Sequence, residues 1–430
     1  MTIGTVLPLF QFIKIPQMKS REVIQVFEHQ KLRFDDSGLF RRSHFDAMVK
    51  FNELHQNKYF TIIHNGICFN SYVGVIRIGD LTIEILPKAD RNRDQEKNKW
   101  HSILLDMLKV CKLIEVDSVS ETQLKKRSSS IFDAYLEIYL REVDQLIRKG
   151  LIKRYRKNQS NQNALRGKIL FPQNIKKNQV HKERFYCEHL IYDKNHLLHQ
   201  ILFRGLLILK NLVNESHTDK LDRLLYEFQD IETVNIQMQH FERIVYHRKN
   251  SEYQKAIDIA KIIILNYSPS LNSGSENLLA LLFDMNVLWE EYIFRILKKH
   301  QKKGIEVYFQ NSAKFWENKR IRPDIVVKTT KETFVIDTKW KRIETNKPSD
   351  DDLKQMFVYN LHWGAYKTML LYPASDQNSD VSGVFHYNNS GLSCKLGFVD
   401  ITDEPAKNSH IIANSIFSKL NLACNSISTT

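Results

Sequence analysis

Cysteine is scarce in this chain of 430 residues, and what there is does not pair. The five are Cys68, Cys111, Cys187, Cys394 and Cys424; none forms a Cys-x-x-Cys pair, and the number is odd. A zinc module or a disulfide framework is therefore not expected, and a reducing compartment fits. No apolar run approaches the length that spans a bilayer. The first residues, MTIGTVLPLFQFIKIPQMKSRE, lack a basic stretch followed by a long apolar one, so the chain reads as cytoplasmic. No Walker A motif is present, so any nucleotide motor must act in trans. No internal repeat is visible.

What is abundant is positive charge. Lys plus Arg number 63 against 49 for Asp plus Glu, a formal net charge of +14. Such a balance points to a polyanion, with nucleic acid as the first candidate and a merely solvated basic surface as the alternative. Hydrophobic residues make up 42% and aromatics 11%, enough for packed cores. At roughly 150 residues per domain the length allows two or three domains.

The patterning predicts an α+β multidomain protein: a β-rich N-terminal domain, a helical middle and a C-terminal α/β domain. Residues 1–95 form the first. Between Tyr59 and Pro87, short apolar or alternating runs are separated by Asn65-Gly66, Asn70-Ser71 and Gly79-Asp80, which are hairpin signals. A small curved sheet or barrel is the expected shape. Residues 91–99 are almost all charged or amide and read as a linker.

Residues 96–272 follow a helical period. Ile131, Tyr135, Ile138, Val143 and Leu146 recur at spacings of three to five, and Gly150 is a stop. The segment 153–184 interleaves Lys and Arg with Asn, Gln, Tyr155 and Phe171, so it either tracks a phosphate backbone or is a solvated loop. Residues 273–405 are expected to open with a long helix at 278–299, followed by short strands and another helix. Residues 406–430 are Ser/Asn-rich and read as a peripheral tail.

Chemistry concentrates in IRPDIVVKTTKETFVIDTKWK, residues 321–341. Two β-branched runs flank a polar Thr329–Glu332 turn, a hairpin pattern. A turn centred on Thr330-Lys331 places Asp324 directly opposite Asp337, with Cβ atoms about 5 Å apart. Two carboxylates so placed repel unless a cation sits between them, and an oxygen-liganded divalent ion would do so. Asp337 and Lys339 share a strand face. Phosphodiester hydrolysis needs a carboxylate-held metal and profits from a cation that orients water and stabilises extra negative charge. Alone, Asp-x(12)-Asp-x-Lys also fits an exposed strand with a surface ion pair.

Neighbouring segments add to it. In LLALLFDMNVLWEEYIFRIL, Glu291 lies four before Arg295 on a solvated face. Glu290 falls with Phe283, Val287, Phe294 and Leu297, where a carboxylate is costly unless it is paired or ligates a metal. Its alternative is a buried glutamate capped by Arg or Lys. Downstream, Gln355 and Tyr359 share one face of a short helix and could reach a phosphate or the surroundings of Lys339; ordinary surface polarity is the alternative. The order helix-Glu, strand-Asp, strand-Asp-x-Lys, helix-Gln-x-x-x-Tyr resembles the PD-(D/E)xK nuclease superfamily, in its branch with RecB-type nucleases, and Pro323-Asp324 is literally present.

The likeness extends beyond that segment. Tyr72-Val73-Gly74-Val75-Ile76, Ile83-Glu84-Ile85-Leu86-Pro87-Lys88, Leu165-Arg166-Gly167-Lys168, Leu371-Tyr372-Pro373, and the run Leu282 to Glu290 with Trp289 where Phe is usual resemble the McrC family. This resemblance implies the endonuclease subunit of a modification-dependent restriction system, cutting double-stranded DNA that typically carries methylcytosine. It also implies a partner, a hexameric AAA+ GTPase of the McrB type whose hydrolysis is stimulated, and an N-terminal part that plugs the motor ring. The implied roles are Mg²⁺ (or Mn²⁺ in its place) on Asp324, Asp337 and the Thr338 carbonyl, with Glu290 completing the acidic site directly or through water. Lys339 orients the attacking water, and Gln355 and Tyr359 position DNA or Lys339. Two other readings stand beside this one, a non-catalytic activator of a AAA+ ring and a stand-alone RecB-like repair nuclease.

Overall fold

The computed structural model describes residues 22–34, 38–87, 97–113, 130–213, 215–269, 276–341, 343, 347–374, 379–388, 391–402 and 405–422. The chain begins with β1 (Glu22–Phe27), β2 (Lys31–Arg33), α1 (Arg42–Leu54), β3 (Phe60–Ile63), β4 (Gly66–Phe69), β5 (Tyr72–Ile78) and β6 (Leu81–Leu86). Two of the three predicted turns close hairpins, β3–β4 at Asn65 and β5–β6 at Gly79-Asp80. At the third, Asn70-Ser71, the chain instead leaves the small sheet β2-β4-β3 for a five-stranded one.

That larger sheet has the order β1-β6-β5-β11-β10, and β10 (Tyr267–Ser268) and β11 (Leu278–Asp284) arrive from far along the chain. Its strands are apolar on both faces because both are covered. Ile76, Ile78, Ile83 and Ala280 face α1 and the small sheet. Val73, Val75, Leu279 and Leu281 face the helices. Gly74 is required where β5 meets β11: its φ is +132°, and a Cβ there would lie 2.1 Å from the Leu281 carbonyl oxygen. Glu84 is fully buried in this sheet. Its carboxylate accepts from Gln25 Nε2 and from the backbone N–H of Ile131, both at 2.9 Å, and so caps a helix N-terminus. Lys88, the last residue of that motif, lies outside the described residues.

The middle comprises α2 (Lys97–Val110), α3 (Ile131–Lys149), β7 (Arg154–Gln162), β8 (Lys168–Ile169), α4 (Phe171–Lys177), β9 (Phe185–Asp193), α5 (Leu197–Lys210), α6 (Glu215–Tyr226), α7 (Met238–Glu242) and α8 (Gln254–Leu265). Ser130 caps α3 and Gly150 ends it. The basic segment 153–184 supplies β7, β8 and α4, and β7 and β8 pair with the following β9 in a three-stranded sheet. Gly167 permits its close approach, since a Cβ there would meet the Glu188 carbonyl oxygen at 2.3 Å.

The last part runs α9 (Met285–Lys299), β12 (Ile305–Phe309), β13 (Ala313–Trp316), β14 (Lys319–Ile321), β15 (Ile325–Thr329), β16 (Thr333–Thr338), α10 (Asp350–Trp363), β17 (Lys367–Pro373), β18 (Val381–Val384), β19 (Ser393–Val399) and α11 (Pro405–Lys419). Its sheet has the order β12-β15-β16-β17-β19-β18, with β16, β17 and β19 parallel. Ile325, Val327, Phe334 and Ile336 pack with α9 and α11. Val326, Val335, Leu370 and Tyr372 pack with Met356 and Tyr359 of α10. Asp324, Asp337, Gln355 and Tyr359 sit on the α10 side at one end of the sheet, and Glu290 comes to that end from α9.

Two expectations change. The run 278–299 is not one helix: LLALLFD is a strand, and the helix starts at Met285 with Asp284 as its N-cap. An unbroken apolar run suits a strand buried on both faces as well as it suits a helix. Nor are residues 406–422 peripheral. Ile412, Ala413, Ile416 and Phe417 of α11 are at most 1% exposed and belong to the main core. That core also joins the N-terminal sheet to the last one. Trp340, next to Lys339, donates from Nε1 to Glu28 Oε1 at 2.6 Å, and its ring lies 5.2 Å from Trp289 and 6.4 Å from Trp100.

Candidate active site

The β15–β16 hairpin has the anticipated register, Ile325 against Ile336 and Lys328 against Thr333. Continued one step, it sets Asp324 opposite Asp337. Thr-Lys serves at the turn centre because the Thr329 hydroxyl accepts from the backbone N–H of Lys331 and Glu332, at 3.2 and 2.9 Å.

Beyond the hairpin the strands stop exchanging backbone bonds, and side chains take over. Asp324 Oδ2 accepts from Thr338 N at 2.7 Å and from Thr338 Oγ1 at 3.0 Å. Lys339 Nζ lies 2.6 Å from Asp337 Oδ2. On α10, Gln355 Nε2 donates to Asp337 Oδ1 at 3.3 Å and to the Tyr359 hydroxyl at 2.8 Å. Gln355 Oε1 accepts from Lys339 Nζ at 3.4 Å, and the Tyr359 hydroxyl donates to the Arg322 carbonyl at 3.1 Å. Asp324, Asp337, Thr338, Lys339, Gln355 and Tyr359 thus form one connected group. Tyr359 is 4% exposed, which removes the surface-helix alternative for it.

Glu290 stands beside this group. It comes from α9, and its Oε1 accepts from Gln310 Nε2 at 2.8 Å. The backbone N–H of Gln310 donates to the Asp324 carbonyl at 2.8 Å. Glu291 pairs with Arg295 at 2.6 Å, as its spacing required. Part of the ground for preferring Glu290 does not hold: Phe283 lies on the strand and Val287 is 53% exposed.

Gln310 and Asp352 were missed. Gln310 follows β12, whose pairing with β15 sets Phe309 against Ile325, so one more step brings it to Asp324. The signal was there only once a third strand was added to the hairpin. Asp352, in the first turn of α10 behind the Ser349 cap, accepts from Lys341 at 2.5 Å and lies 3.7 Å from Lys339.

Electrostatics set the site apart from a surface ion pair. Burial, then the Glu290 carboxylate, pushes the Asp324 carboxyl up; burial, then Asp324, pushes Asp337 up, both to about 6. Burial also raises Glu290. Burial alone would depress Lys339, but Asp337, Asp352 and Asp324 outweigh it and hold the ammonium above its usual value. Tyr359 is pushed up to about 12, by burial first.

Among the described residues, no three His, Cys, Asp or Glu side chains are grouped so as to enclose a metal. The oxygen donors brought together are the Asp324 and Asp337 carboxylates, whose charges act on each other, and hard oxygen ligands of this kind are what a divalent ion such as Mg²⁺ takes. Mg²⁺ is bound in that way, through one or two carboxylates plus water and substrate oxygens.

Residues 67–373 match the family model described as McrBC 5-methylcytosine restriction system component. The chain belongs to that family. Among solved structures it is similar to a chain of the half-complex from a tetradecameric assembly of Thermococcus gammatolerans McrB AAA+ hexamers with bound McrC. There the identity is 19%, 92% of this chain and 100% of that chain are covered, and the TM-score is 0.68. At that identity the likeness establishes a shared fold. A second similar structure is the Thermococcus gammatolerans McrBC complex, with 19% identity, 65% and 88% coverage and a TM-score of 0.49. No curated protein sequence matches. The McrBC family match runs from β4 to β17, and so takes in β5, β6 and β11 of the N-terminal sheet as well as β15, β16 and α10. No helix among the described residues is long and apolar enough to cross a membrane.

Proposed function

We propose that this McrBC-family chain is the Mg²⁺-dependent endonuclease subunit of a modification-dependent restriction system, and that it cuts double-stranded DNA when held by a hexameric AAA+ GTPase partner. The observation that carries this is the connected group from Asp324 to Tyr359, with buried Asp337 and half-buried Asp324 carboxylates whose pKa values are raised by their placement. Perturbed carboxylates of this kind concentrate at functional sites.

Asp324, Asp337 and the Thr338 carbonyl would hold the ion, and Glu290 would complete the acidic site through water. A bound Mg²⁺ would supply positive charge at the scissile phosphate. Lys339, held cationic, donates rather than accepts protons, so it orients the attacking water and stabilises the extra charge on phosphorus oxygens. Gln355 fixes Lys339 and Asp337 relative to each other, and Tyr359 fixes Gln355. The chain mixed with its AAA+ partner, Mg²⁺ and GTP is expected to linearise a methylated plasmid and spare the unmodified one. Equal cutting of both, or none with any nucleotide or metal, would reject the restriction reading.

The raised carboxyls also predict a pH dependence. Between pH of about 4 and 6 the folded metal-free chain retains protons that the unfolded chain releases, so its stability falls as pH rises through that window. A divalent ion replaces those protons. Mg²⁺ should therefore raise the thermal midpoint more at pH 7.5 than at pH 5. An equal shift at both values would show that the pair does not hold the ion.

A further inference from the structure

Between β12 and β15 the chain leaves the sheet to form the hairpin β13–β14, residues 313–321. The hairpin springs from the end of the sheet that carries the site, since Asp324 follows it by three residues. Its neck is pinned. Gln310 N donates to the Asp324 carbonyl at 2.8 Å, Arg320 Nε donates to Ser312 Oγ at 2.7 Å, Ile321 packs into the α10-side core, and Tyr359 holds the Arg322 carbonyl. The hairpin is therefore a fixed projection at the rim of the site.

Its composition is that of a nucleic-acid contact. Lys314, Lys319, Arg320 and Arg322 are opposed within residues 311–322 by the single carboxylate Glu317. Among the described residues, Lys314, Lys319 and Arg322 form no ion pair. Lys314 and Arg320 are direct cross-strand partners. Like charges so placed repel, and an anion between them relieves the repulsion. Phe315 and Trp316 are 54% and 62% exposed, a large aromatic surface beside those cations, with a strand irregularity between Lys314 and Trp316. Cations that track phosphates beside apolar rings that pack on sugars are how proteins hold duplex DNA without reading its sequence.

We propose that the β13–β14 hairpin is a DNA clamp: Lys314, Lys319 and Arg320 take phosphates next to the scissile one, and Trp316 packs on the exposed sugar of a neighbouring nucleotide. Its position relative to the cut rests on the nuclease reading of Asp324, Asp337 and Lys339; its contact with DNA does not. The test is binding of a labelled DNA duplex to the full chain in EDTA, by anisotropy over a range of salt. Lys314→Glu with Lys319→Glu is expected to weaken binding at least tenfold and to make the log–log salt slope about 2 units shallower. Trp316→Ala should weaken it about tenfold, and Trp316→Phe should restore most of that.

Trp316 also reports directly. Trp100, Trp289 and Trp340 are buried and Trp363 is half-buried, so Trp316 is the most exposed of the five to acrylamide, and DNA should shield it. That shielding should vanish in Trp316→Phe. The side chains are exposed, so thermal melts of the variants should match the parent. Unchanged affinity, salt slope and quenching would overturn the clamp, as would absence of binding by the parent chain at low salt. Loss of AAA+ partner binding with DNA binding intact would overturn it in favour of a protein contact. Hairpin-dependent binding without Mg²⁺-dependent cutting would keep the clamp and reject the nuclease. Normal cutting by both hairpin variants with unchanged binding would do the reverse.

Discussion

Asp337→Asn is expected to lower Mg²⁺-dependent DNA cleavage about a thousandfold while leaving the thermal midpoint unchanged or slightly higher. Asparagine keeps the shape and an acceptor for Gln355 but loses the charge that attracts the ion and Lys339. A metal contributes several kcal/mol to the transition state, and each 1.36 kcal/mol is a factor of ten in rate. The stability side has the opposite sign. The raised carboxyl at Asp337 means that ionisation there opposes folding, burial first and the Asp324 carboxylate second. Removing the charge removes that penalty. Cleavage within a few fold of the parent would remove Asp337 from the chemistry, and a large fall in the midpoint would make the loss of cutting a loss of fold.

Trp289→Ala should cost about 3–5 kcal/mol of stability, among the largest effects of any single truncation here. Trp289 is 0% exposed, one residue before Glu290, with Tyr292 and Trp340 rings at 6.1 and 5.2 Å. No acceptor is available to its indole N–H among the described residues. Trp289→Phe should therefore cost less than about 1.5 kcal/mol, because the lost ring volume is offset by losing a buried unsatisfied donor. Urea unfolding monitored by circular dichroism separates the two. If both variants shift the midpoint equally, the ring trio is not what anchors α9.

Much of the site was legible because its parts are local. The hairpin register follows from two β-branched runs and the length between them, and it places Asp324 and Asp337 without further help. Gln355 and Tyr359 follow from helical spacing. Glu290 was reached over Glu291 through the Glu291–Arg295 spacing, although the helix was drawn seven residues too long. What stayed hidden depends on distant pairing. Gln310 matters because β12 joins β15. Trp340 matters because it meets Glu28, 312 positions away. The apolar stripe of α11 was obscured by Ser and Asn neighbours, of which Asn414 and Ser418 are exposed while Asn408 is buried and bonds Thr402.

The junction at Asp284 bears on how such a chain can change through descent. Leu278–Asp284 completes the sheet begun near the N-terminus, and the next residue starts the helix that carries Glu290. No spacer separates the two, so a recombination boundary placed here would part the first sheet's strand from the helix it leads into.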